Sequence, residues 1–256
     1  MSEDAGSRRR FLRDLCVAAG GLLLAGCDAA SRSPAFTKVL GTAEDLNRSI
    51  QRALVPRKAL AQEFTEADLS PEFRSNGTSD PEDDEYQMLA RNGFVAWRLR
   101  IDGLVEQPMQ LSLAELRAMR SRTQITRHDC VEGWSAIGKW RGVPLSEVLA
   151  LARPKAAARY VVFHCADPMD ASGTKYYESI DMEDAHHPQT ILAYELNDRD
   201  LPIPNGAPLR VRIERQLGYK MAKYIMRIEL VESFAQLGGG KGGYWEDEGY
   251  EWYAGI

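Results

Sequence analysis

The chain has 256 residues, with 37 acidic and 32 basic side chains, a net charge of −5, and 44% hydrophobic residues. Such a balance supports a core and excludes a disordered chain, while the acidic excess argues against a general nucleic-acid binder, which needs a basic stripe. Four cysteines are too few for a disulfide scaffold, and no apolar run reaches the roughly 18–20 residues that cross a bilayer.

In chain order, Ser7-Arg8-Arg9-Arg10-Phe11-Leu12-Arg13 precede a short apolar stretch from Leu15 to Ala25. A basic segment before a short apolar one reads as a secretory signal. Its paired arginines resemble a twin-arginine export signal, and Leu24-Ala25-Gly26-Cys27 resembles a bacterial lipobox. The expectation is a signal peptide over 1–26, a lipid anchor on Cys27 and a tether over 27–41. Asp28 resembles a retention signal, so the expected location is the periplasm, on the inner membrane. Twin-arginine export carries folded cargo, a first hint of an inserted cofactor.

The stretch Thr42–Leu54 reads as a helix, with Thr42 as cap and Pro56 beyond its end. Residues 42–93 form an N-terminal extension in which Leu69–Glu85 is a long loop. From 94 to 237 short strands and short helices alternate without a βαβ rhythm, which predicts an α+β fold. Val95, Trp97, Leu99 and Ile101 give a half-buried strand that Asp102-Gly103 turns. Ser112-Leu113-Ala114-Glu115 is a capping box for a helix to about Met119. Thr123–Asp129 predicts a strand, and Pro144–Ala152 a helix burying Leu145, Val148, Leu149 and Leu151. Further strands are expected at Arg159–Cys165, Thr190–Leu196, Leu209–Ile213 and Tyr224–Val231, with turns at Asn197-Asp198 and Asn205-Gly206. In 238–256 a glycine run precedes Tyr244, Trp245, Tyr250, Trp252 and Tyr253, rings expected to pack back onto the domain.

Thr126-Arg127-His128-Asp129-Cys130-Val131-Glu132-Gly133-Trp134-Ser135 places a thiol at a strand end beside cationic groups, surroundings that favour thiolate. Three readings stay open. Cys130 is a ligand of a cofactor-held metal; or His128, Cys130, His164, Cys165, His186 and His187 gather into a zinc or copper site; or Cys130 and Cys165 form a disulfide.

Cys130-Val131-Glu132-Gly133-Trp134-Ser135 with Trp140-Arg141-Gly142-Val143-Pro144-Leu145 resembles the molybdenum-binding segment of the sulfite oxidase family. His187-Pro188-Gln189-Thr190, Asn205-Gly206-Ala207-Pro208-Leu209-Arg210, Gly218-Tyr219-Lys220 and Lys223 continue the resemblance in order, over about residues 94–232. The resemblance implies a sulfite oxidase-type fold of mixed sheets with short helices. It further implies one molybdenum on molybdopterin, ligated by Cys130, that performs oxygen-atom transfer. It places Asn76, Cys165, Asn205, Arg210, Met221, Ala222 and Lys223 around the pterin and its phosphate, with Cys165 where reductases of the family carry threonine. Arg127 and His128, just before the metal-binding cysteine, are candidates to stabilise a substrate oxygen, and an exposed His128 would supply a proton. Trp134 and Trp140 read as supports of the Cys130 loop.

The leader and the absence of a heme module favour the bacterial periplasmic reductase branch: a monomer that reduces small or protein-bound S- or N-oxides and draws electrons from a membrane heme or quinone partner. A sulfite-type oxidase, and a non-enzymatic His/Cys metal-binding lipoprotein, are the alternatives.

Overall fold

The computed structural model describes residues 33–54, 56 and 59–256. The export and lipidation calls on Arg8, Arg9 and Cys27 lie outside the described residues. Helix α1, Pro34–Leu54, belongs to a first unit that ends at Leu54. It starts inside the stretch expected to be tether, at Pro34, whose missing N–H costs nothing at the first helical position, so Thr42 lies within the helix and does not cap it. Among the described residues no helix is long and apolar enough to cross a membrane.

The second unit, 55–256, is built on two sheets. The first has the order β2 (Met109–Ser112), β1 (Arg98–Gly103), β10 (Ile225–Val231), β5 (Tyr160–Pro168), β6 (Lys175–Asp181). Its β1–β10 pair is parallel and the other pairs are antiparallel. The second sheet orders β3 (Arg122–Cys130), β4 (Trp134–Pro144), β7 (Ile191–Leu196) and β8 (Arg199–Asp200), with β9 (Arg210–Arg212) also on β7. Short helices α2 (Asp84–Arg91), α3 (Leu113–Ala118), α4 (Leu145–Ala152), α5 (Met182–Ala185) and α6 (Tyr244–Asp247) accompany them. This is the expected α+β fold.

One continuous core joins the two sheets. Leu99, Ile101, Phe163, Ile228 and Leu230 from the first sheet pack with Val143, Leu192, Tyr194 and Val211 from the second, and α4 caps them. Burying apolar area of this kind supplies most of the drive to fold.

Several local expectations hold. The Ser112–Glu115 capping box is formed on both sides. Asn197 and Asp198 both take positive φ, the mirror-image turn that suits the twist of the β7–β8 hairpin. Others shift. Val95 is exposed, and the strand starts only at Arg98 after a turn with Phe94 at φ 59°. In α4 the buried stripe is Leu145, Val148, Leu149 and Ala152, while Leu151 faces out, as the 3.6-residue period requires. Strands β2, β4 and β6 were not expected. Glycines at 138 and 142 hid β4. At Gly142 a Cβ would lie 2.2 Å from the Leu192 carbonyl oxygen, so this close strand approach needs glycine. Polar residues hid β6, whose Glu178 and Ser179 are nonetheless fully buried.

Candidate active site

Strand β3 ends in a tight turn to β4. Gly133 sits at φ 85° and donates its N–H to the Cys130 carbonyl (3.0 Å), which presents the Cys130 side chain at the hairpin tip. Three other segments converge on that tip: the loop through Asn76-Gly77-Thr78, the end of β5 with Asp167 and Met169, and the 3-10 turn Gly218–Lys220 running on to Met221 and Lys223. Together with Trp245 and Tyr250 of the tail they enclose a cavity of about 290 Å³, near the lower end of small-molecule sites.

Of the residues singled out in the sequence, Asn76, Cys130, Met221 and Lys223 line this cavity. Asn205, Arg210 and Ala222 stand behind it. Lys223 Nζ donates to the carbonyls of Asn76 (2.5 Å), Thr78 (2.6 Å) and Pro204 (3.1 Å), which ties the loop to the wall. Burial, aided by Arg210, pushes its pKa down to about 7. Arg210 is wholly buried and donates to the carbonyls of Asn205 (3.0 Å) and Met221 (3.3 Å). Burial, then the charge of Arg212, lowers its pKa to about 9. Both guanidinium groups lie over the buried Trp140 ring, at 5.0 and 4.5 Å. Asn205 donates to the Phe73 carbonyl, and the Ala222 carbonyl accepts from Val211.

The expectation of a thiolate-favouring environment at Cys130 is corrected. Burial raises the thiol above its ordinary pKa, outweighing a hydrogen bond from the Glu132 backbone N–H that lowers it, while the Glu132 carboxylate raises it and Arg74 lowers it by less. Arg127 does not help. Strand alternation turns it to the other face with Asp129, its ion-pair partner at 2.9 Å, where both border a separate pocket with Thr126 and Glu214.

His128 shares the Cys130 face but is fully buried. Its Nδ1 accepts from Arg212 Nη1 (2.9 Å) and touches Met221 Sδ (3.3 Å). The proton therefore sits on Nε2, which packs against Gly218 and has no hydrogen-bond partner. Burial and then Arg212 hold the ring well below its usual pKa, so the exposure that a proton-supplying role required is not met. Arg212 itself is satisfied by Glu214 (2.6 Å).

Cys165 is buried in β5 outside the cavity lining, and burial raises its thiol. Both Cys130 and Cys165 are free, so the disulfide reading is dropped. The zinc or copper reading fails as well. His164 pairs with Glu229 (2.9 Å), His186 meets the Met182 carbonyl (2.8 Å) and His187 meets the Ala59 carbonyl (3.0 Å). Among the described residues no three His, Cys, Asp or Glu side chains gather to hold a metal.

The sequence reading missed Asp167, Met169, Tyr176, Tyr219, Trp245 and Tyr250. Asp167 lines the cavity with one carboxylate oxygen unpartnered, and burial lifts its pKa to about 6. Nothing local marks it, because its environment comes from Lys223 and Thr78. The site thus offers a sulfur donor, the buried cations Arg210 and Lys223, and unpartnered polar atoms on Asn76 (Oδ1) and Arg210 (Nε). That donor set suits an anionic, polar ligand carrying a thiophilic metal.

The family model for the oxidoreductase molybdopterin-binding domain matches residues 89–236. A relative from Azospira oryzae, whose name makes it subunit YedZ1 of a protein-methionine-sulfoxide reductase, is 38% identical over 97% of this chain and 88% of its own length. The protein-methionine-sulfoxide reductase catalytic subunit MsrP of Xanthomonas axonopodis pv. citri is 40% identical over 55% of this chain and 46% of its own. A solved structure, the sulfane dehydrogenase SoxCD of Paracoccus pantotrophus, aligns at 24% identity with a TM-score of 0.49, over 54% of this chain and 39% of that one.

Proposed function

Because the chain belongs to the oxidoreductase molybdopterin-binding, or sulfite oxidase, family and is a molybdenum-dependent oxidoreductase, we propose that it reduces sulfoxides, with Cys130 as the protein ligand of the metal. Molybdenum on molybdopterin is the family's cofactor and, when bound, supplies two-electron oxygen-atom transfer. The residues around it have separable tasks. Cys130 offers sulfur and gives up its proton on metal binding, since thiols bind as thiolates. Lys223 and the Asn76 amide face the anionic, hydrogen-bonding part of the cofactor, with the charge of Arg210, and Asn205 and Ala222, supporting them from behind.

Reduction of a sulfoxide consumes two electrons and two protons and releases a thioether and water. Asp167 is placed to deliver one proton from its carboxyl into the cavity. At a pKa of about 6 it is protonated often enough near neutrality to donate and acidic enough to do so readily.

The observation that carries the reading is the convergence of Cys130, Asn76 and Lys223 on a cavity lined also by thioethers, aromatic rings and the carboxylates of Glu132 and Asp167. Those walls suit a neutral sulfoxide better than a sulfite anion, which would need cations on the substrate side. Electrons would come from a membrane heme or quinone partner. Export by the twin-arginine route, retention in the periplasm through lipidated Cys27, and a monomeric state complete the proposal.

The test is to purify wild type and Cys130→Ser from their native export route and measure molybdenum, pterin and sulfoxide turnover with an artificial donor. About one molybdenum per chain and turnover in wild type, with both lost in the variant, is expected. A variant that keeps wild-type metal and rate refutes the ligand assignment. For localisation, Arg8→Lys with Arg9→Lys should leave the protein in the cytoplasm.

A further inference from the structure

The family match ends at residue 236, yet the cavity needs residues beyond it. Trp245 and Tyr250 stack on each other with centroids 5.4 Å apart, and Tyr250 meets Tyr219 edge-on at 5.2 Å. Tyr176, Met169 and Met221 line the same cavity, so rings and thioethers make up much of its surface.

The glycine run is flexible by composition, but the rings after it pack back onto the domain as expected, and the tail is fastened in several places. Lys220 Nζ, fully buried, donates to Glu178 and to Glu246 of α6, both at 2.5 Å. The Asp247 carboxylate accepts from the Tyr177 hydroxyl (2.5 Å) and from the backbone N–H of Gly239 (2.7 Å) and Lys241 (3.1 Å). Tyr219 donates to the Glu251 carbonyl (2.6 Å), and Gln216 bridges Gly255. These contacts set the position of Trp245 and Tyr250, and Tyr250 remains 42% exposed.

We infer that Trp245 and Tyr250 are specificity-determining residues, forming with Met169, Tyr176, Tyr219 and Met221 a slot that holds the methyl thio-alkyl arm of an oxidised methionine while its S–O group faces the polar side. Sulfur beside aromatic rings is favourable, and a slot of rings and thioethers adapts to an unbranched sulfur-containing chain. Dimethyl sulfoxide carries no alkyl arm beyond its two methyl groups, so it places no long chain in the slot. The inference rests on the sulfoxide-reductase reading and deepens it.

The test uses molybdenum-loaded wild type, Trp245→Leu and Tyr250→Leu. Leucine keeps apolar volume and removes the ring, and Tyr250 is exposed enough for its replacement to leave folding intact. Each protein is assayed with N-acetyl-methionine sulfoxide amide, dimethyl sulfoxide and pyridine N-oxide. Its binding of the non-reducible methionine sulfone is followed by calorimetry, and molybdenum content is measured alongside. The KM for the methionine sulfoxide and the Kd for the sulfone should rise about ten-fold, the loss of one or two sulfur–ring contacts. The rate constant kcat, the KM for dimethyl sulfoxide and the metal content should change less than about two-fold. Equal losses on all three oxides, unchanged sulfone binding, or a selective loss on pyridine N-oxide overturns the inference. If loaded wild type reduces no sulfoxide, the reductase reading falls, and the sulfone titration still decides whether the slot binds the methionine arm.

Discussion

Replacing Gly218 with alanine puts a methyl carbon 2.4 Å from His128 Nε2, 2.5 Å from its Cε1 and 3.2 Å from the Asp129 carbonyl oxygen. Gly218 does not sit in the left-handed region, so the backbone accepts alanine and gains about 0.5 kcal/mol from a stiffer unfolded chain. The ring cannot yield easily, because Arg212 and Met221 hold one edge and Phe73 and Trp134 lie 5.8 and 5.5 Å from it. Relieving the overlap needs a shift of nearly an ångström in a packed region, which costs roughly 1–3 kcal/mol. The net expectation is a loss of about 1.5 kcal/mol, with molybdenum retention reduced because the displaced segment carries Cys130. Urea unfolding of the wild type, Gly218→Ala, His128→Ala and the double variant completes a cycle. Alanine at 128 vacates the space, so the double variant should be more stable than the sum of the singles by about 1 kcal/mol or more. Additive losses would show that His128 is not what requires glycine at 218.

Lys220→Met leaves Glu178 and Glu246 buried without their cation, and should cost about 3–5 kcal/mol, seen as a lower Tm with greater exposure of tail tryptophans. Asp167 has a folded pKa of about 6 against an ordinary 3.8, so the fold favours its neutral form. That stabilisation is complete below about pH 3.8, disappears between there and 6, and leaves a penalty on the order of 2–3 kcal/mol above. Asp167→Asn, in the cofactor-free protein, should therefore gain stability relative to wild type as pH rises from 4 to 7, and a constant difference would contradict the burial argument. Lys223→Met releases the carbonyls of Asn76, Thr78 and Pro204, so limited proteolysis within 74–80 should accelerate several-fold. Arg127→Ala should leave molybdenum content unchanged and stability within about 0.5 kcal/mol, because its side chain faces away from the cavity.

Local chemistry in the sequence carried most of the framework. The Ser112–Glu115 capping box, the buried alternation of Leu99 and Ile101 in β1 and the Asn197-Asp198 turn each act within a few residues, and all are present in the fold. Cys130, Asn76 and Lys223 were legible as a set only through the family resemblance, since residue types alone left a zinc cluster and a disulfide equally open. What stayed hidden depends on contacts distant in sequence. Asp167 acquires its raised pKa from burial by segments distant in sequence, against an opposing pull from Lys223, burial governs the Cys130 thiol, and Lys220 finds its carboxylates on β6 and α6. Strand β6 was missed for the same reason: Glu178 reads as a surface residue until its ammonium partner, from another element, is in place.

The position of β10 at the middle of the first sheet, between β1 and β5, bears on how the chain is made. Until residues 225–231 leave the ribosome, the ladder edges of β1 and β5 that β10 will cover stay open. A nascent chain stalled earlier would present two sticky edges. Truncation before Ile225 should therefore give aggregates in place of a smaller working domain, and chaperones that shield β edges should engage the chain until that strand is inserted.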